Sequence, residues 1–131
     1  MPDRQRVSSG SPYEAQFGFS RAVRIGERII VSGTGPIEND GSTTPGDAAA
    51  QAERCCALIV KSIEELGAAA ADVVCTRMFL TDIAQQDAVG AVHARFFGEA
   101  RPAATMVGVA SLCRTEWMVE IEAEAVVRAS A

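Results

Sequence analysis

Polar and apolar positions alternate with period two along residues 117–127. Trp117, Val119, Ile121, Ala123, Ala125 and Val127 share one face; Met118, Glu120, Glu122, Glu124 and Val126 share the other. This predicts a strand with one apolar side. Earlier in the chain the period is helical. Ala52, Cys56, Ile59, Val60, Ile63 and Leu66 recur at i, i+3, i+4 and i+7, and Glu53, Lys61, Glu64 and Glu65 fill the other faces. Thr44 or Asp47 can cap the start, Pro45 suits a first turn and Gly67 suits an end, so a helix is predicted over 46–66. A second helix is predicted from Thr81-Asp82, with Asp82 as N-cap, Ala88, Val89, Val92 and Phe96 as its apolar face, and Gly98 as its stop. Strands are predicted at Phe19–Ile25 and Arg28–Ser32 around a Gly26-Glu27 turn, at Asp72–Leu80 and at 103–110. Gly33-Thr34-Gly35-Pro36 breaks regularity, and residues 37–46 read as loop.

The resulting order, β-β-α-β-α-β-β, predicts an α+β domain: a mixed sheet with both helices on one face. The other face is then uncovered within one chain, and a second copy is the simplest cover. Residues 1–16, rich in Ser, Gly and Pro, read as a loosely held arm, leaving 17–131 as the domain.

Charge narrows the partners. The chain of 131 residues carries a formal net charge of −5, and Lys61 is its one lysine, with arginines scattered rather than clustered. A nucleic-acid binder needs a basic stripe, so nucleic acid is not expected as a partner. Residues 1–11 lack the apolar core of a signal peptide and no stretch approaches a membrane span, which gives a cytoplasmic expectation and no membrane partner. Cys55, Cys56, Cys75 and Cys113 show no metal-ligand spacing and read as small buried hydrophobes.

The feature richest in chemistry is Glu120-Ile121-Glu122-Ala123-Glu124. Period two places three carboxylates on one strand face, about 6.5–7 Å apart. Mutual repulsion and burial would raise a pKa there and make a general acid or base. The bland alternative is a face solvated or paired with arginines. His93, the one histidine, reads as a surface or semi-buried helical residue, and Arg77 as the ion-pair partner of one of these carboxylates.

Several short motifs then fall into a familiar order. Val31-Ser32-Gly33, Asp47 with Ala50-Gln51-Ala52, Asp72 to Asp82, Phe96-Phe97, Arg101-Pro102-Ala103 and Val119 to Ala123 resemble the RidA/YjgF (endoribonuclease L-PSP) family from about Phe17 to Val127. The resemblance implies a chorismate mutase-like α+β fold, a homotrimer, and a small-molecule metabolite held in an intersubunit cleft. It implies hydrolysis of reactive enamines or imines to a 2-oxo acid and ammonia, with no metal or organic cofactor. Carried over by position, Glu120 orients the attacking water and the Gly33 backbone contacts the ligand. The arginine that grips the substrate carboxylate is replaced by Ala104, a first-strand tyrosine by Phe19, and a second-helix asparagine by Gly90. Thr105 restores some polarity beside Ala104. Arg101, Arg77 and Arg114 are the candidates to supply the missing cation. Two readings stay open: an atypical deaminase-type hydrolase, and a non-catalytic trimer that binds a small ligand as sensor or scavenger. A structural trimer without ligand is a third.

Overall fold

Chain reversal at Gly26 sets the first hairpin. Its φ of 59° supplies the left-handed first position of a two-residue turn between β2 (Ala22–Ile25) and β3 (Arg28–Thr34). In the computed structural model, which describes residues 3–128, these strands belong to one six-stranded sheet. Its order is β1 (Arg4–Val7), β2, β3, β6 (Val119–Val126), β4 (Val73–Leu80), β5 (Ala103–Gly108). Only β4 and β5 run parallel, so the sheet is mixed.

Two long helices cover one face. In α2 (Ala48–Glu65), the Asp47 carboxylate accepts from Ala50 N at 3.0 Å, and Gly67, with φ 92°, closes the end. α3 (Gln86–Phe97) starts later than its sequence suggests: Asp82 caps a separate 3₁₀ turn, Ile83–Gln85, ahead of the helix. The core lies between these helices and the sheet. It joins Cys55, Cys56, Ile59 and Ile63 of α2 and Val89, Val92 and Phe97 of α3 to Ile29 and Val31, Met78 and Leu80, and alternate residues of β6 from Val119 to Ala125. Phe97 rather than Phe96 is the fully buried aromatic of α3. Of the four cysteines, Cys55 and Cys56 are buried, whereas Cys113 is exposed.

The segment read as a loosely held arm is structured over its described part, residues 1 and 2 lying outside. Arg4–Val7 pairs antiparallel with β2 along its whole length, and Pro12–Phe17 forms a short helix, α1, capped by the Ser11 side chain. Backbone pairing at a sheet edge does not require apolar side chains, so Arg4-Gln5-Arg6 gave no strand pattern.

The second sheet face is open, as the element order implied. Ile30, Val74, Val107 and Val126 are 39–47% exposed. Among the described residues, no helix is long and apolar enough to cross a membrane.

Candidate functional site

Glu120, Glu122 and Glu124 all point to the open face, but the neighbouring strands treat them differently. Arg77 sits opposite Glu122 in the β4–β6 register. Its guanidinium reaches Glu122 at 3.1 Å and Glu124 at 3.3 Å, while Arg28 from β3 reaches Glu124 at 2.8 Å. Two of the three carboxylates therefore belong to ion pairs within the chain. Glu120 stands opposite the apolar Phe79 and makes no such pair among the described residues.

A β-bulge places Glu120 over a glycine. Val31 pairs with Ala123 and Thr34 with Ile121, so Ser32 and Gly33 share the one intervening position. The bulge is fixed by side chains: Thr34 Oγ1 donates to Ser32 O at 2.8 Å, and Ser32 Oγ to Ser20 O at 2.6 Å. At Gly33 the strand exposes bare backbone to Glu120; a Cβ there would lie 2.7 Å from Glu120 Oε2. The start of β6 is held from the helix side. Buried Gln51 donates to Glu116 O at 3.0 Å and accepts from Met118 N at 2.7 Å.

Arg21 is the charged neighbour of Gly33 and Glu120 that sequence reasoning did not single out. Alternation from buried Ala22 puts it on the open face, and its Nη2 donates to Gly33 O at 2.5 Å. Its Nε is buried without a partner. Burial pulls the guanidinium below its ordinary range, with Glu14 and then Glu120 opposing. Burial likewise pushes the Glu120 carboxyl above its ordinary range; Arg21 pulls it down and Glu122 pushes it up, and burial prevails. A half-buried carboxyl whose pKa is raised is a stronger base once ionised and can both take and return a proton. The cue in the sequence was Arg21's position just before β2, but only the bulge aims it at Gly33.

The other sequence candidates separate into two groups. Phe19, 42% exposed, follows the left-handed Gly18 and borders an open cleft of about 590 Å³ lined also by Arg4, Arg6, Glu14, Ser20 and Ser32, but not by Glu120, Gly33 or Arg21 themselves. Arg101, Ala104, Thr105 and Gly90 lie on the other side. Ala104 and Thr105 are exposed on β5, in register with Thr76 and Arg77. Two strand spacings, about 9.5 Å, separate β5 from β6, so these residues do not meet Glu120 within one chain. Arg101 precedes β5, exposed, with φ 51°. Gly90 is half-buried on α3, and an added Cβ would meet nothing within 4 Å. His93 is half-buried, its Nε2 2.8 Å from Thr76 Oγ1, and burial lowers its pKa. None of the expected cations lies at Glu120. Arg77 is paired as above, and Arg114 donates to Gly41 O at 2.7 Å and stacks over Trp117.

The architecture is that of an α+β domain with helices on one sheet face and a carboxylate-bearing bulge site on the other. Comparison with known proteins gives the lineage. The family model Endoribonuclease L-PSP matches residues 10–127, and the chain belongs to this family, the YjgF or RidA family. An uncharacterized protein of Streptomyces coelicolor, SCO2049, is 37% identical over 121 residues, 92% of this chain and 90% of that one. The 2-iminobutanoate/2-iminopropanoate deaminase of Escherichia coli is 34% identical over 113 residues, 84% of this chain and 88% of that one. The crystal structure of Rv2704, a YjgF/YER057c/UK114 family member from Mycobacterium tuberculosis, superposes with a TM-score of 0.86 at 45% identity, covering 95% of this chain and 100% of that one.

Proposed function

We propose that this protein is a hydrolase of C=N bonds that acts on a small enamine or imine in a cleft shared between subunits of a homotrimer in the cytoplasm. The observation that carries the reading is the Glu120 carboxyl, half-buried, raised in pKa and unpaired above Gly33. In the reaction Glu120 takes a proton from water as the water oxygen attacks the imine carbon, and returns it to the nitrogen to give the carbinolamine. Glu120 then passes the hydroxyl proton to the nitrogen as the C–N bond breaks, so that ammonia leaves and a carbonyl forms. The similarity to the E. coli deaminase supports this chemistry. The open face with its exposed apolar residues, and the split between the Glu120 and β5 groups, support a site completed by a second copy.

The side chains present point to an atypical substrate. Ala104 and Phe19 carry no donor, and Gly90 leaves open space. An arginine at position 104 would hold a carboxylate by a charge-assisted hydrogen bond of roughly 1.5–3 kcal/mol, which alanine does not supply. The cleft therefore has room for a larger or more apolar side chain on the ligand, and its acid group needs a donor other than residue 104. The same absence of donors favours the second reading, a trimer that binds a ligand without turning it over.

The test is ammonia release from imines generated in situ by an L-amino-acid oxidase, over a panel of amino acids, with Ala104→Arg alongside. Acceleration by wild type is the expected result. Acceleration by the variant alone would favour the binding reading.

Gly33→Ala gives a second check. Gly33 has no left-handed φ, and the atom its Cβ would meet is the free end of a flexible side chain. Turnover is expected to fall roughly 10–100-fold through displacement of the carboxylate, with the melting temperature changing little. A variant as active as wild type would show that the Glu120–Gly33 approach is not used.

A further inference from the structure

We propose that Arg21 receives the carboxylate of the ligand, taking over from the opposite side of the cleft the contact that an arginine at position 104 would make. This rests on the reading of Glu120 and Gly33 as the site. It names the residue that holds the acid group of the ligand.

A guanidinium has five N–H donors. Among the described residues, Arg21 Nη2 has a protein partner, the carbonyl of Gly33, and Nε is buried with none. Glu14 and Glu120 influence it electrostatically, yet it forms no ion pair with either. Burying an arginine without direct neutralisation is costly, and an arriving anion offsets that cost. Its planar fork matches a carboxylate bidentately.

Position supports the same role. The bond to Gly33 O holds the guanidinium beside the backbone over which the Glu120 carboxyl lies. The segment is anchored by Arg21 N to Val7 O at 2.9 Å, by Ser32 N to Arg21 O at 3.0 Å and by Ser32 Oγ to Ser20 O at 2.6 Å. A carboxylate on Arg21 would present the adjacent carbon to water activated by Glu120. The other open-face arginines near β6, Arg28 and Arg77, are neutralised by Glu122 and Glu124.

The experiment is calorimetric titration with two probes of equal shape, 2-oxobutanoate and the uncharged 2-oxobutanamide. Wild type, Arg21→Gln, Arg21→Lys and the double variant Arg21→Gln/Ala104→Arg are compared. Glutamine removes the charge, lysine keeps it at nearly the same reach, and thermal melts establish that each variant is folded. Wild type is expected to prefer the acid. Arg21→Gln is expected to weaken acid binding roughly 10–150-fold and amide binding less than about twofold. Lysine is expected to fall between, and the double variant to regain acid affinity. Equal weakening for both probes would make Arg21 a structural brace and overturn the proposal, as would unchanged selectivity in Arg21→Gln or no preference for the acid in wild type. Ammonia release on the same preparations separates the two readings. Arg21-dependent acid binding without turnover removes the hydrolase and keeps the binding role. Turnover with Arg21-independent selectivity does the reverse.

Discussion

Replacement of Glu120 by glutamine is expected to lower imine hydrolysis at least about 100-fold while raising the stability of the fold at neutral pH. Glutamine keeps the shape and removes the base. The stability effect follows from linkage. Burial, the largest influence on Glu120, raises its carboxyl above the ordinary value of 4.5 in the folded state, whereas the unfolded chain returns it to that value. Between the two values the folded protein holds a proton that the unfolded chain has released. The contribution of protonated Glu120 is therefore fully present below the unfolded pKa and is lost as pH rises through the folded one. A glutamine is indifferent to pH, so the variant is expected to melt above wild type at pH 8. The gap should close toward pH 4.5. Thermal melts across that range, paired with ammonia release, read both effects. Undiminished turnover would remove Glu120 from the mechanism. A gap that widens toward acid would contradict the burial assigned to its carboxyl.

The second large effect is expected in the core. Phe97 is among the largest side chains with no exposed surface, and its ring packs 5.2 Å from His93 and 6.2 Å from Phe96. Phe97→Ala is expected to cost about 3–5 kcal/mol, a large share of the roughly 5–15 kcal/mol that holds a domain together. Phe96→Ala should cost less than half as much, because Phe96 is only half-buried. Urea midpoints at constant slope would measure both. Equal costs would mean that α3 presents a different face to the sheet.

That pair shows where the helical pattern stops being informative. Positions 89, 92, 96 and 97 all lie within one apolar stripe of a 3.6-residue period. The stripe identifies the helix and its inward side. Which of two adjacent phenylalanines is buried depends on how α3 crosses its neighbours, and that crossing is absent from the local sequence. The same limit applies at residues 4–7, where β1 exists because the edge of β2 offers unpaired backbone groups. By contrast the capping of α2 by Asp47, its closure at Gly67 and the Gly26 turn were legible, since each depends on the conformational preferences of the residues at that spot.

The candidate site divides along the same line. The sequence by itself determined that three glutamates share one strand face, because period two is a local property of an extended chain. Its ordered motifs marked the family and singled out Glu120 and Gly33. Tertiary structure decided that these carboxylates are not equivalent. The β4–β6 register brings Arg77 to Glu122 and Glu124 and leaves Phe79 opposite Glu120. The bulge at Ser32-Gly33 turns the backbone beneath Glu120 and brings in Arg21. Strand register and a one-residue bulge join residues as much as 96 positions apart, and no local pattern carries that information.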